Sequence, residues 1–100
     1  MNTIDVTMVR VYLVEGRGDI SHVIKWLQED NVRGFTVFRG VEGQGRHGVL
    51  HKASLLDLSS ELPIVIEFFD VPERVDEILE QLNGLIEADH IVSWSAKAGK

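Results

Sequence analysis

The sequence contains no cysteine among its 100 residues. Structural disulfides, thiolate zinc sites and thiol nucleophiles are therefore excluded, and the composition favours a cytoplasmic location. Long apolar runs are also missing, since none approaches the ~20 residues of a membrane span. The first ten residues, MNTIDVTMVR, lack the basic and apolar regions of a signal peptide. We expect a cytoplasmic protein that does not insert directly into a membrane.

Positive charge is scarce, with ten basic against sixteen acidic residues and a net charge of −6. This balance argues against a nucleic-acid partner, because such binding depends on neutralising phosphates. The acids concentrate in residues 73–89, where six of them (Glu73, Asp76, Glu77, Glu80, Glu87 and Asp89) accompany one base, Arg74. Residues 39–52 instead hold three bases and one acid. A small anion therefore stays open as a ligand.

The length indicates a single domain over residues 1–100, and the 44% of hydrophobic residues are enough for a compact core. We place this core at about residues 6–95, with a flexible loop at about 40–60. Residues 41–60 show no clear hydrophobic period, and an irregular connection of that length is usually functional or mobile.

Hydrophobic periodicity predicts four strands and two helices. The first helix has Asp19 or Ser21 as its cap and ends near Asn31. The second has Asp70 as a cap, Pro72 in its first turn and Glu73 near its N-terminus. The final AKAGK is expected to be frayed. The predicted strands are Val6–Val14, Phe35–Gly40, Leu62–Phe69 and Ile91–Ser95.

The order βαββαβ predicts an α+β, ferredoxin-like sandwich, in which both helices cover one face of a four-stranded antiparallel sheet. The other face would be bare and largely apolar, which favours an oligomer. Arg10 falls in the middle of a strand on that face and must be neutralised, either by Glu67 or in a cleft between subunits. We expect Trp26 and Trp94 to pack at subunit interfaces.

The segment FRGVEGQGRHG, residues 38–48, follows a strand with four closely spaced glycines. Glycine amides and arginine side chains can form a concave donor surface for a phosphate or carboxylate. Glu42 has an alternative role, in which it pairs with Arg39 or Arg46 and holds the turn. The candidate ligand-binding residues are Arg39, Gly40, Glu42, Gly43, Gly45 and Arg46.

Two other chemistries find less support. His47 and His51 share a face only in a helix, and no nearby carboxylate completes a metal shell, so we predict no metal site and keep them as weak candidates. Ser54, Ser59 and Ser60 lie near His51 only in sequence and no nucleophile-elbow motif surrounds them, so we predict no enzyme activity and no cofactor.

The run TVFRGVEGQG, followed by HKASLLDLSSELPIVIEFFD, resembles the PII-like family called domain of unknown function 190. The resemblance extends from about Val6 to Ser95, and its most specific part is Arg-Gly-Val-Glu-Gly-x-Gly. This sequence has Gln44 where an aromatic residue is usual, and a short loop at Glu15–Asp19.

The resemblance implies a homotrimer similar to PII signalling proteins, in which residues 39–60 form the loop that changes conformation with ligand. Adenine nucleotides bind PII proteins between subunits at the base of that loop. The glycine- and lysine-rich turn that PII proteins place after the second helix is replaced here by the acidic LIEADHIVS. We therefore expect a small anionic effector, such as an adenine or cyclic nucleotide or a bicarbonate-like anion.

The leading hypothesis is a PII-like regulatory protein that signals to a partner protein, such as a membrane transporter, through the loop. The alternatives are an interaction module that needs no ligand and a metal-binding trimer similar to copper-tolerance proteins.

Overall fold

The computed structural model describes residues 1–16, 19–30, 32, 34–44, 48, 50–52 and 62–100. Within them the chain forms two helices, α1 (Asp19–Glu29) and α2 (Pro72–Leu82), and a 3₁₀ turn at Ala88–His90. The strands are β1 (Thr3–Val14), β2 (Phe35–Arg39), β3 (Glu42–Gln44), β4 (Leu50–Lys52), β5 (Pro63–Asp70) and β6 (Ile91–Gly99).

Four strands form one antiparallel sheet in the order β2-β5-β1-β6. β1 lies at its centre and pairs with β5 over Thr7–Val14 and with β6 over Thr3–Val11. The predicted α+β class and ferredoxin-like arrangement are confirmed.

The core lies between one face of this sheet and both helices. Alternate residues of β1 and β5 point towards the helices, as the period of two in a strand requires. Each predicted helix buries one apolar stripe: Val23 and Leu27 of α1 and Val75, Ile78 and Leu82 of α2 are fully buried. Strand residues that complete the core are Val9, Val11, Leu13, Ile64, Ile66 and Phe68.

The start of α2 differs from the prediction at its cap. Pro72 is at the first helical position and Glu73 is in the first turn, as expected. The N-cap, however, is Val71, whose carbonyl accepts hydrogen bonds from the backbone N–H groups of Arg74 and Val75. Asp70 instead accepts a hydrogen bond of 2.7 Å from the N–H of Val71, one residue before the helix.

The C-terminal residues are a paired strand, so the prediction of a frayed tail was wrong. β6 continues to Gly99, and its last four residues lie opposite Thr3–Val6. The small residues of AKAGK give no hydrophobic alternation. The twelve-residue β1 supplies their backbone partner, and no local pattern reports a partner so distant in sequence.

Part of the long connection is also ordered, which corrects the expectation of an irregular loop from residue 41. β3 and β4 form a two-stranded hairpin, with Gly43 opposite His51. Strands of three residues are too short for a detectable period. Residues 45–47, 49 and 53–60 of the predicted loop lie outside the described residues.

Trp26 is half-buried and packs against the core of its own chain. Its contact with another subunit stays a prediction. Neither described helix is long and apolar enough to cross a membrane.

Candidate ligand cleft

A cleft of about 480 Å³ crosses the end of the sheet where β1 and β2 finish and β5 and β6 begin. Because the strands are antiparallel, this edge collects residues far apart in the sequence. Tyr12 and Phe38 provide aromatic walls that are 44% and 49% exposed, and Pro63 and Val65 lie between them. The remaining lining residues are Leu13, Val14, Gly40, Glu42, Gly43, Gln44, Asp89 and His90.

The predicted glycines reach this cleft because Pro63 packs against them. A Cβ on Gly40 would lie 2.6 Å from Cγ of Pro63, and one on Gly43 would lie 2.8 Å from the same atom. The N–H of Gly40 also donates a 2.7 Å hydrogen bond to the Pro63 carbonyl. Both positions therefore require glycine, because the hairpin packs too closely against Pro63 of β5 to leave room for a side chain.

Arg39 does not line the cleft with them. It lies opposite Ile64 in the register of β2 and β5, and paired residues point to the same side of a sheet, so Arg39 points to the helix side. Its Nε and Nη2 atoms donate hydrogen bonds of 3.0 and 2.8 Å to one carboxylate oxygen of Glu15. Sequence reasoning had offered it Glu42 as a partner.

The structure therefore brings together three of the predicted ligand residues, Gly40, Glu42 and Gly43. Gly45, Arg46 and His47 lie outside the described residues, and so does the side chain of His51. For these residues, the sequence-based roles stay predictions.

Sequence reasoning missed the side chains contributed by the 3₁₀ turn. The Nε2 atom of His90 lies 3.7 Å from a carboxylate oxygen of Glu87 and 3.8 Å from one of Asp89. The available signal was the run Glu-Ala-Asp-His directly before a strand. Among the described lining residues no lysine or arginine is present, so Glu42 and Asp89 make this part of the cleft acidic.

The cleft opens onto the sheet face that the helices leave uncovered. At the centre of this bare face Arg10 and Glu67, which are directly opposite in the register, form the predicted pair at 3.2 Å. The Arg10 guanidinium carbon also lies 5.5 Å from the centroid of the Trp94 ring, a distance at which a cation attracts an aromatic face.

Hydrogen bonding to Tyr12, and then to Glu67, raises the pKa of Arg10 above its ordinary value. Large apolar side chains surround Arg10 on the same face, and those more than a third exposed are Tyr12, Phe38, Phe69, Val92 and Trp94.

The model of the DUF190 family, described as an uncharacterized ACR, matches residues 6–98 of this chain. The chain belongs to the DUF190 family. A UPF0166 protein of Aquifex aeolicus is 33% identical over 70 residues, which cover 70% of this chain and 67% of the relative. A UPF0166 protein of Methanocaldococcus jannaschii is 30% identical over 90 residues, covering 85% and 82%.

Among solved structures, the chain is similar to CPII from Thiomonas intermedia K12, a nitrogen regulatory PII-like protein. The complex of CPII with ADP and bicarbonate superposes with a TM-score of 0.74 at 20% identity, covering 99% of this chain and 93% of CPII. The two proteins share the PII-like, ferredoxin-like fold.

Proposed function

We propose that this DUF190 protein is a cytoplasmic PII-like regulatory protein that binds a small anionic metabolite and signals through residues 40–60. The observation that carries the proposal is the aromatic cleft at the root of the β3–β4 hairpin, continuous with an uncovered apolar sheet face. A ligand between Tyr12 and Phe38 would touch both the sheet and Gly43 of the hairpin. Its binding could then favour one position of the hairpin over another, which signalling requires.

The bare face supports the homotrimeric part of the proposal. Met8, Tyr12, Phe38, Phe69 and Trp94 would stay in contact with water in a single subunit, and apolar patches of this kind mark association sites. Association through this face would bring a second subunit to the mouth of the cleft. In CPII the bound molecules include ADP, AMP and bicarbonate, and these define the first ligands to test.

The proposed binding residues divide into two groups by their chemistry. Tyr12 and Phe38 offer flat apolar surfaces that suit an adenine ring, since bases stack on aromatic side chains. Gly40 and Gly43 line the cleft at the hairpin root, where the Gly40 N–H is already bonded to the Pro63 carbonyl. Because the described lining is acidic, we expect AMP or a cyclic nucleotide to bind more tightly than ATP.

The assay is isothermal titration of the full chain with AMP, ADP, ATP, cyclic AMP and bicarbonate, with light scattering to measure the mass. We expect a species of three times 11.2 kDa and saturable binding of at least one nucleotide. Phe38→Ala should weaken that binding, by about fivefold or more if one stacking contact of ~1–3 kcal/mol is lost.

Val37→Ala is the matched control, because Val37 is the next residue on β2, is 41% exposed and points to the opposite side. Equal losses in both variants would mean that β2 is perturbed as a whole. The absence of saturable binding by all five compounds would reject the ligand-sensing function.

A second candidate is an interaction module that needs no small ligand. The acidic described lining of the cleft favours it, since anions bind poorly beside carboxylates. In that case a partner protein, such as a membrane transporter, would bind residues 40–60 with the same affinity with and without nucleotide.

A further inference from the structure

The 3₁₀ turn at Ala88–His90 and the residue before it carry three side chains that can ligate a metal. One ligand atom each from Glu87, Asp89 and His90 lies within 4.8 Å of the other two. We propose that these three residues form a binding site for a divalent transition-metal ion at the edge of the cleft.

The distances between the ligand atoms are close to those of a metal site. With metal–ligand bonds of about 2.0–2.2 Å, ligands at tetrahedral corners lie roughly 3.3–3.6 Å apart. The His90 nitrogen is 3.7 Å from Glu87 and 3.8 Å from Asp89. One ligand atom of each residue lies within 4.8 Å of the other two, so coordination requires the side chains to rotate closer together.

The backbone that carries these side chains is fixed on both sides. Ile86 before the turn is 7% exposed and belongs to the core, and Ile91 after it pairs with Val11 of the central strand. Within the turn, the His90 N–H donates a 3.0 Å hydrogen bond to the Glu87 carbonyl. Side chains on a rigid backbone lose less conformational entropy when they coordinate a metal.

The donor set selects the class of metal. One imidazole and two carboxylates, without a thiolate, suit Zn²⁺ or a similar transition metal better than Mg²⁺ or Ca²⁺, which prefer oxygen ligands alone. Three protein ligands leave at least one coordination position open. Because Asp89 and His90 also line the cleft, the open position is available to a molecule bound there.

A divalent metal at this site would neutralise the two carboxylates that hold it, Glu87 and Asp89. A carboxylate, bicarbonate or phosphate oxygen could then occupy the open position, although Glu42 and Asp89 alone would repel it. This consequence rests on the proposed ligand-binding function, whereas the metal site itself does not.

The test is isothermal titration of the nucleotide-free full chain with ZnCl₂, with MgCl₂ in a parallel titration. We expect saturable Zn²⁺ binding with one site per chain and weaker or undetectable Mg²⁺ binding. His90→Ala should lower Zn²⁺ affinity by about tenfold or more, and Glu87→Gln and Asp89→Asn should lower it in the same direction. All three side chains are more than 40% exposed, so thermal unfolding without metal should be unchanged.

His22→Ala is the matched control, because it removes an exposed histidine from α1 and should leave Zn²⁺ affinity unaltered. A double variant of His47 and His51 to Ala covers the sequence-based alternative. The proposal is overturned if Zn²⁺ does not bind, or if the His47/His51 variant loses binding while His90→Ala keeps it. Zn²⁺ binding without saturable binding of any nucleotide or of bicarbonate would keep the metal site and reject the proposed function.

Discussion

The Nε atom of Arg10 donates a hydrogen bond of 3.2 Å to Oε1 of Glu67, which lies directly opposite it on β5. Both charges occupy the bare sheet face, and Trp94 lies beside the guanidinium. The exposed fraction of the Glu67 side chain is 20% even in the single subunit. Association through this face would remove the pair from water, so each charge would depend on the other.

We predict that Arg10→Met weakens the proposed trimer, because it leaves the Glu67 carboxylate without its partner on a face that association would bury. The dissociation constant should rise by at least about tenfold, measured by light scattering over a dilution series. The double variant Arg10→Met/Glu67→Leu should recover most of the association, since an apolar pair replaces the ionic one.

Lys97→Met is the control for that experiment. Lys97 pairs with Asp5 across β6 and β1, but both side chains are about 70% exposed and lie on the other side of the sheet. Its removal should leave association unchanged. A trimer equally stable in Arg10→Met and the wild type would exclude the bare face as the interface.

Gly43→Ala should destabilise the fold, because the new Cβ would lie 2.8 Å from Cγ of Pro63. Overpacking of this kind costs about 1–3 kcal/mol, which lowers Tm by several degrees in a domain of this size. Pro63→Ala in the same chain removes Cγ and should restore part of the loss, which thermal unfolding of the two single variants and the double variant would measure.

Gly34→Ala provides the comparison for Gly43→Ala. A Cβ at Gly34 meets no atom within 4 Å, so this variant should unfold at or slightly above the wild-type temperature. An equally stable Gly43→Ala protein would show that the hairpin does not pack on Pro63 in solution.

The C-terminal end of β6 should be protected from hydrogen exchange. Residues 96–99 pair with Thr3–Val6, and Val6 is only 3% exposed. We expect amides in a peptide covering 91–100 to exchange at least about tenfold more slowly than in the free peptide. Exchange of residues 96–99 at the free-peptide rate would instead support the frayed tail expected from the sequence.

The sequence predicted those parts of the fold that depend on a repeated apolar pattern. The stripe containing Val75 and Ile78 and the strand containing Val9 and Val11 are visible because burial recurs at the period of each element. The sequence also offered Glu67 as a partner for Arg10, since an isolated charge in a strand needs a partner nearby.

Features that depend on pairing between distant segments could not be predicted in this way. The β3–β4 hairpin has three residues in each strand, and the end of β6 contains no large apolar residue. The cleft could not be predicted for the same reason, because its lining includes Tyr12, Phe38, Pro63 and His90, which are far apart in the sequence. Local composition indicated a ligand-binding loop at the glycines. It did not indicate that the 3₁₀ turn at Ala88–His90 contributes to the same cleft.

At Arg39 the role predicted from the sequence and the position seen in the structure differ, and an experiment can decide between them. Its place in the Arg-Gly-Val-Glu-Gly run makes it a predicted ligand residue, but the register directs its side chain to the helix side, where Glu15 accepts two hydrogen bonds from it. We predict that Arg39→Ala and Glu15→Ala each lower Tm slightly, since exposed pairs contribute about 0.2–1 kcal/mol.

Nucleotide affinity, measured by the titration described above, should stay within about twofold of wild type in both variants, because neither side chain reaches the Tyr12–Phe38 cleft. The two variants control for each other, since each removes one half of the same pair. If Arg39→Ala loses tenfold or more in affinity while Glu15→Ala does not, the guanidinium must leave Glu15 to bind the anion. The sequence-based role of Arg39 would then be correct, and the arrangement with Glu15 would represent the ligand-free position of the side chain.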